Sequence, residues 1–365
     1  MMTPFLTQMQ PEEFTKQLVE FNRRVLKGID SLARIRDEDF EVGFTPKEEI
    51  SREDNVVLYR YLPLAERPSH IPILIAYALI NRPYMVDLQE NRSLVRNLLK
   101  LGMDVYLIDW GYPSRADRWL TLDDYINGYL ESCVEAVRQR YGGEPINLLG
   151  ICQGGTFSLS YASLNPKKIK NLITMVTPVD FHVREGMLNV WAGCTLAQPN
   201  LDVDRMVDAF GNIPGEYMNF GFLMLKPFQL GIRKYLELID VVDDEEKLLN
   251  FLRMEKWIFD SPDQVGEAYR QFIKDFYQGN KFIKGEVKIG GRVIDLRKVN
   301  MPVLNIYAEE DHLVPPASSM ALRRYVGTND YTVRSFPVGH IGMYVSGKVQ
   351  RDLPPTIADW LRERS

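Results

Sequence analysis

Cysteine is scarce in this chain. Only Cys133, Cys152 and Cys194 occur among 365 residues. Three thiols, odd in number and far apart, exclude a disulfide framework and indicate a reduced, cytoplasmic setting. Histidine is nearly as rare. His70, His182, His312 and His340 stand at no metal-ligand spacing, so no metal centre is expected. A basic excess is also missing: 44 Lys and Arg face 49 Asp and Glu, for a net charge of −5. That balance argues against nucleic acid as a partner and against a polybasic membrane patch. Long apolar runs are absent too. The longest, IPILIAYALI over 71–80, is interrupted by proline and falls short of the ~18 residues of a membrane span. The opening MMTPFLTQMQPEE has neither the basic nor the apolar region of a secretory signal. There are no internal repeats and no low-complexity tracts. What remains is a chain with 45% hydrophobic residues, enough for one large domain with an insertion or for two domains.

The pattern along the chain changes rhythm three times. Over 11–36, Phe14, Leu18, Phe21, Val25, Ile29 and Leu32 recur every three or four positions behind Pro11, which predicts a helix. This stripe packs on the main domain or docks a partner; the sequence leaves both open. From residue 56 onward, short runs rich in β-formers alternate with helical patterns. The runs are NVVLYRYL (55–62), IPILIAYAL (71–79), MDVYLIDW (103–110), INLLG (146–150), NLITMV (171–176), PVLNIYA (302–308) and YTVRSFP (331–337). Several are apolar throughout, as strands buried on both faces must be. Strand–helix alternation predicts a mostly parallel α/β sheet. Thr121 and Asp124 form a capping-box pattern, and the helix behind them places Cys133 on its apolar face, in the core. Between about 180 and 290 the alternation stops, and the sequence reads as mostly helical and rich in aromatics. It closes with EVKIGGRVIDL, a hairpin signal around Gly290 and Gly291. An insertion of this size is expected to cap the carboxyl edge of the sheet, where open α/β sheets bind ligands.

One constellation carries chemistry. In NLLGICQGGTFS (147–158) a predicted strand meets Gly150-Ile151-Cys152-Gln153-Gly154 and a helix follows. That is the setting of a nucleophile elbow. The turn is tight, so the positions two before and two after the nucleophile must be small; Gly150 and Gly154 comply, and Gly155 adds room. The turn also aims the helix N-terminus at the sulfur, which favours negative charge there. The backbone N–H of Gln153 is then one expected oxyanion donor. A second is expected from the loop YALINRPYMVDL, with the N–H near Ile80 as the candidate. In this architecture the acid and the histidine follow the nucleophile, each after a late strand. PVLNIYA leads to EEDHLVPP and hence Asp311, with Glu309 and Glu310 as rivals; YTVRSFP leads to VGHIGMY and hence His340. His312 is expected to pack in its turn. His70 and His182 lie in the wrong segments, and Cys194 has no elbow around it.

A cysteine at this position suits acyl transfer. Thiolate attack on a thioester yields another thioester, so the acyl group stays activated, whereas serine would hold it as a more stable oxyester. Hydrolysis must then be suppressed, which an aromatic-rich cap would do by excluding water.

Taken together, NLLGICQGGTFSL, YALINRPYMVDL, DVYLIDWGYP, TLDDYINGYL, MVTPVDF, GNIPGE, FLRMEKWIFDSPDQ, RQFIKDFYQ, DHLVPP and GHIGMYVSGK resemble the catalytic subunits of class III polyhydroxyalkanoate synthases. The resemblance runs from GFTPKEEI to WLRERS and is weakest over the first 40 or so residues. It implies an α/β-hydrolase fold, with helices on both faces of a mostly parallel sheet and a helical cap. The expected segments are an N-terminal helical piece (1–40), a first core part with the elbow (41–179), the cap (180–295) and a second core part with acid and histidine (296–365). It implies that Cys152 carries the growing polyester as a thioester and that His340 deprotonates it. Asp311 supports His340 or helps activate the substrate's 3-hydroxyl. The substrate is (R)-3-hydroxybutyryl-CoA or a short-chain homologue, with CoA released and no separate cofactor. The family pattern adds a second subunit, PhaE, a dimer of catalytic subunits within the hetero-oligomer, and residence at the surface of polyester granules; class IV is the near alternative. The rival reading is a cysteine-type α/β-hydrolase acting as thioesterase or polyester depolymerase.

Overall fold

The structure is a computed structural model; it describes residues 16, 19, 36, 40–66, 69, 71–192, 201–228, 238, 241 and 244–365. His70, Cys194 and almost all of the helix expected over 11–36 lie outside the described residues. Two compact units emerge. One joins Gly43–Asn219 with Phe259–Ser365; the other joins Met1–Val42 with Phe220–Ile258. The segment 180–295 therefore divides between them.

The larger unit is built on eight strands: β1 Lys47–Glu53, β2 Val56–Tyr61, β3 Pro72–Ala76, β4 Asp104–Asp109, β5 Ile146–Ile151, β6 Ile169–Met175, β7 Val303–Ala308 and β8 Tyr331–Phe336. Their order in the sheet is β1-β2-β4-β3-β5-β6-β7-β8. β1 and β2 pair antiparallel, as do β2 and β4; the pairings from β4 through β8 are parallel. Every residue of β3 and β5 is buried, which is why these runs read as unbroken apolar stretches. β1 shows the opposite logic. Its KEEISRE sequence is exposed along nearly its whole length and carries charge at the sheet edge, where charge discourages a further strand from adding. A two-residue turn, Asp54-Asn55, returns it to β2, with Asp54 at φ 51°.

The chain passes from β3 to β4 on one side and to β5 on the other, so the strand order reverses at β3. The carboxyl ends of β3 and β5 therefore open a crevice. Ala76 at the end of β3 lies opposite Gly150 of β5. Helix α1 (Leu130–Arg140) packs on the sheet and buries Cys133, whose thiol is pushed up to about 12 by burial. That makes it an inert core residue, as expected. Thr121 and Asp124 do form the predicted cap, with the Asp124 carboxylate accepting the Thr121 N–H at 2.6 Å. The turn they start is π-helical over Asp124–Tyr129 before α1 begins.

Part of the segment expected to form a cap over the sheet's carboxyl edge belongs to this unit for a packing reason. Phe272 and Phe276 stack at 4.8 Å, and Phe272 meets Phe157 edge-on at 6.1 Å. Phe181 joins both rings. These aromatics are buried in the same core as the sheet. The hairpin predicted around Gly290 and Gly291 forms between Lys288–Ile289 and Arg292–Val293. Both glycines take positive φ, 55° and 74°, as such a turn requires.

In the smaller unit, the helix Glu245–Phe259, all but its last residue, supplies the longest described stretch. Arg253 Nε donates to the Glu41 carbonyl at 3.1 Å, and Lys256 Nζ sits 5.3 Å from the Phe40 ring centre. The 11–36 stripe thus leads into chain that packs with 220–258.

Candidate active site

Cys152 sits between the end of β5 and the start of helix α2 (Gln153–Leu164), at φ 54° and ψ −125°. A non-glycine residue there carries strain of about 1–3 kcal/mol, which its surroundings must hold. They do so with two backbone bonds. The Cys152 N–H donates to the Met175 carbonyl of β6, and the Gly155 N–H donates to the Cys152 carbonyl, both at 2.9 Å. The sulfur-bearing residue is partly exposed, whereas Cys133 is buried.

The surrounding glycines are sterically required. A Cβ on Gly150 would lie 2.4 Å from Gly155 Cα, and one on Gly154 would lie 2.2 Å from the Ala76 carbonyl oxygen. At Gly155 it would lie 1.8 Å from Thr177 Oγ1, so this glycine does more than add room. Gly154→Ala should therefore force β3 and α2 apart. The expected loss is about 1–3 kcal/mol of stability together with reduced turnover. Calorimetry and a CoA-release assay check this; a wild-type melting curve with full activity would contradict it.

The acid and the imidazole meet as the strand order predicts. Asp311 lies past the end of β7 and His340 past the end of β8. The two loops are tied by Glu309 N–H to Phe336 O (2.9 Å) and Glu310 N–H to Val338 O (3.0 Å). Asp311 Oδ1 accepts the N–H groups of Leu313 and Val314, each at 2.9 Å. Its Oδ2 accepts His340 Nδ1–H at 2.7 Å. The Asp311 side chain is fully buried and that of His340 is 6% exposed. The rivals Glu309 and Glu310 are exposed. His312 is half-buried in the same turn, while His182 is exposed with Nε2 at 3.0 Å from the Tyr277 carbonyl.

With Nδ1 committed to Asp311, Nε2 is the nitrogen left for the sulfur. Burial by itself would lower the pKa of His340. The negative charges of Asp311 and Cys152 act the other way and win, helped by hydrogen bonds to both, and raise it to about 10. The imidazole therefore keeps its proton through the neutral range, with the Asp311 carboxylate on one side and the Cys152 sulfur on the other.

The loop of the second expected oxyanion donor is tied to the residue that offers the first. Gln153 is the first residue of α2, where backbone N–H groups have no acceptor within the helix. Its side-chain Oε1 accepts the Leu79 N–H at 3.1 Å, which draws the loop after β3 against the elbow just before Ile80. The structure also brings in residues the sequence did not single out. Tyr344 stands edge-on to His340 with ring centres 6.1 Å apart, and Tyr77 stands edge-on to Tyr344 at 6.2 Å. Tyr77, Tyr277 and Tyr344 all feel the Cys152 charge, although burial is the main cause that pushes their pKa values up. In the sequence these tyrosines look like any other aromatic of a packed core. Only the positions of Tyr344, four residues after His340, and Tyr77, one residue past β3, hinted at a place near the site.

Residues 71–346 match the model of the alpha/beta hydrolase fold family. A solved structure described as a hydrolase from Pseudomonas aeruginosa PA01 superposes with a TM-score of 0.52 at 13% identity, covering 88% of this chain and 99% of its own. The chain is thus a member of the α/β-hydrolase fold family, carrying cysteine at its elbow. Residues 10–98 match a second model, the N-terminus of poly-beta-hydroxybutyrate polymerase (PhaC). The poly(3-hydroxyalkanoate) polymerase subunit PhaC of Synechocystis sp. is 64% identical over 364 residues, 100% of this chain and 96% of the relative. The protein of the same name from Allochromatium vinosum is 51% identical over 366 residues, 99% of this chain and all of the relative. This chain belongs to the poly(3-hydroxyalkanoate) polymerase PhaC family, as the sequence motifs indicated. Among the described residues, no helix is long and apolar enough to cross a membrane.

Proposed function

We propose that this chain is the catalytic subunit of a poly(3-hydroxyalkanoate) polymerase that transfers acyl groups through a thioester on Cys152. The observation that carries the reading is a cysteine at a strained elbow, beside a buried histidine whose proton affinity Asp311 and the sulfur raise together. In the first step the Cys152 sulfur passes its proton to His340 and attacks the thioester carbonyl of (R)-3-hydroxybutyryl-CoA. The oxygen that becomes negative is met by the N–H groups of Gln153 and Ile80. The carbon–sulfur bond to CoA breaks, His340 returns the proton to the departing CoA sulfur, and the acyl group remains on Cys152. In the extending step the 3-hydroxyl of another acyl unit attacks the Cys152 thioester. Its proton passes to His340, and an ester bond replaces the thioester. Asp311 either orients His340 or helps activate that hydroxyl.

The reaction so written draws on no cofactor beyond the CoA thioester substrate. The family resemblance adds a PhaE subunit, a dimer of catalytic chains and a place at the polyester granule surface. The fold alone would also serve a thioesterase, since the two reactions differ in water access. Mass spectrometry of the protein after addition of 3-hydroxybutyryl-CoA tests the proposal. The expected result is one or more 3-hydroxybutyryl units on the Cys152 peptide, with CoA and insoluble polymer released. Free hydroxy acid with CoA and no polymer would overturn it in favour of hydrolysis.

A further inference from the structure

Two buried glutamines grip one stretch of backbone from opposite ends. Gln153 Oε1 accepts the Leu79 N–H at 3.1 Å, and Gln264 Nε2 donates to the Leu79 carbonyl at 3.1 Å. Gln153 is 6% exposed and Gln264 4%. The Leu79 carbonyl and the Ile80 N–H belong to one planar trans peptide, so they point in opposite directions. Whatever holds the carbonyl therefore aims the N–H.

Gln264 is itself held firmly. Its N–H donates to Ile213 O and its carbonyl accepts Ile213 N–H, both at 2.8 Å. Three residues earlier, Ser261 Oγ accepts from Asn81 Nδ2 at 2.6 Å and donates to Asn219 Oδ1 at 2.8 Å. Asn81 stands at φ 59°, a conformation asparagine tolerates better than most residues. The acidic groups of the same strip are already engaged. Asp260 accepts from Tyr84 and Tyr112, and Asp263 accepts the Gly215 N–H.

We propose that Gln264 is a positioning residue for acyl transfer: by holding the Leu79 carbonyl it aims the Ile80 N–H at the oxygen that becomes negative. The inference rests on the mechanism above, in which Ile80 is the second oxyanion donor. Gln153 then links the two donors, since its backbone supplies the first and its side chain anchors the loop of the second.

Gln264→Met keeps the shape and removes the donor. We expect kcat with 3-hydroxybutyryl-CoA to fall by about 10- to 100-fold while KM stays within about threefold, less than the full loss of an oxyanion donor. Alkylation of Cys152 by iodoacetamide should keep its wild-type rate, because that reaction needs the sulfur and His340 but no oxyanion donor. Gln264→Glu gives a second readout. Ionised, it repels the Leu79 carbonyl; protonated, it donates to it, and burial favours protonation. Its activity relative to wild type should therefore rise as pH is lowered. A Gln264→Met enzyme within about threefold of wild-type kcat would overturn the proposal, because a displaced oxyanion donor costs more than that. So would alkylation that falls in step with kcat, which would make Gln264 a support of the whole site. If Gln264→Met does not fold, a pH-independent ratio for Gln264→Glu overturns the proposal. Failure of the underlying mechanism is seen separately, as the absence of an acyl adduct on wild-type Cys152.

Discussion

Cys152→Ala is expected to abolish polymerisation, with turnover falling by more than about a thousandfold, while the protein melts within a few degrees of wild type. Loss of a nucleophile from a triad removes the covalent route altogether, and in well-studied hydrolases it lowers turnover by about a millionfold. Little stability is at stake. The side chain is partly exposed, so truncating it leaves no sealed cavity. The strained backbone at φ 54° is the same for alanine, and its hydrogen bonds to Met175 and Gly155 are made by backbone atoms. The experiment is a CoA-release assay on the variant beside a calorimetric scan. Residual turnover above about one-thousandth of wild type, with an unchanged melt, would mean that another group attacks the thioester. Cys133 is no substitute, since it is sealed in the core with its proton firmly held.

The elbow could be read from twelve letters because its chemistry is local. Small residues at 150, 154 and 155 are forced by contacts with Ala76, Ser158 and Thr177, and any chain making this turn must place them so. The strands β3, β5, β6 and β7 were equally legible, because a parallel strand covered on both faces leaves an apolar run. Asp311 and His340 followed from strand order. β1 was invisible for the converse reason. KEEISRE gains its place by pairing with β2, and nothing in its side chains announces a strand. The grip of Gln153 and Gln264 on Leu79 was beyond reach as well. It joins positions 74 and 185 residues apart through amides that could bond to any peptide. The extent of the cap was likewise hard to read, because the aromatics of 272–276 look the same whether they face a substrate or a core. The structure buries Phe272 and Phe276 against Phe157 and Phe181.

His340→Gln is expected to lower alkylation of Cys152 at neutral pH by at least about tenfold and to stop polymerisation, because the sulfur loses the base that carries its proton. Glutamine can still donate to Asp311, so the loops after β7 and β8 keep a link. It cannot take a proton. The same variant has a signature in stability. In the folded protein His340 is raised from 6.5 to about 10 by the charges of Asp311 and Cys152 acting against burial. A raised pKa means that the folded state binds the proton more tightly than the unfolded state does. The stabilisation is therefore fully present below pH 6.5 and is lost as pH climbs through about 10. Glutamine does not titrate, so the His340 contribution to the wild-type advantage should shrink across that window. Denaturant unfolding of both proteins at several pH values reads it out. An advantage that stays level or grows from pH 6.5 to about 10 would show that the proton on His340 is not held by the carboxylate and the sulfur. Rapid alkylation of the variant at neutral pH would remove His340 as the base, whatever the stability profile shows.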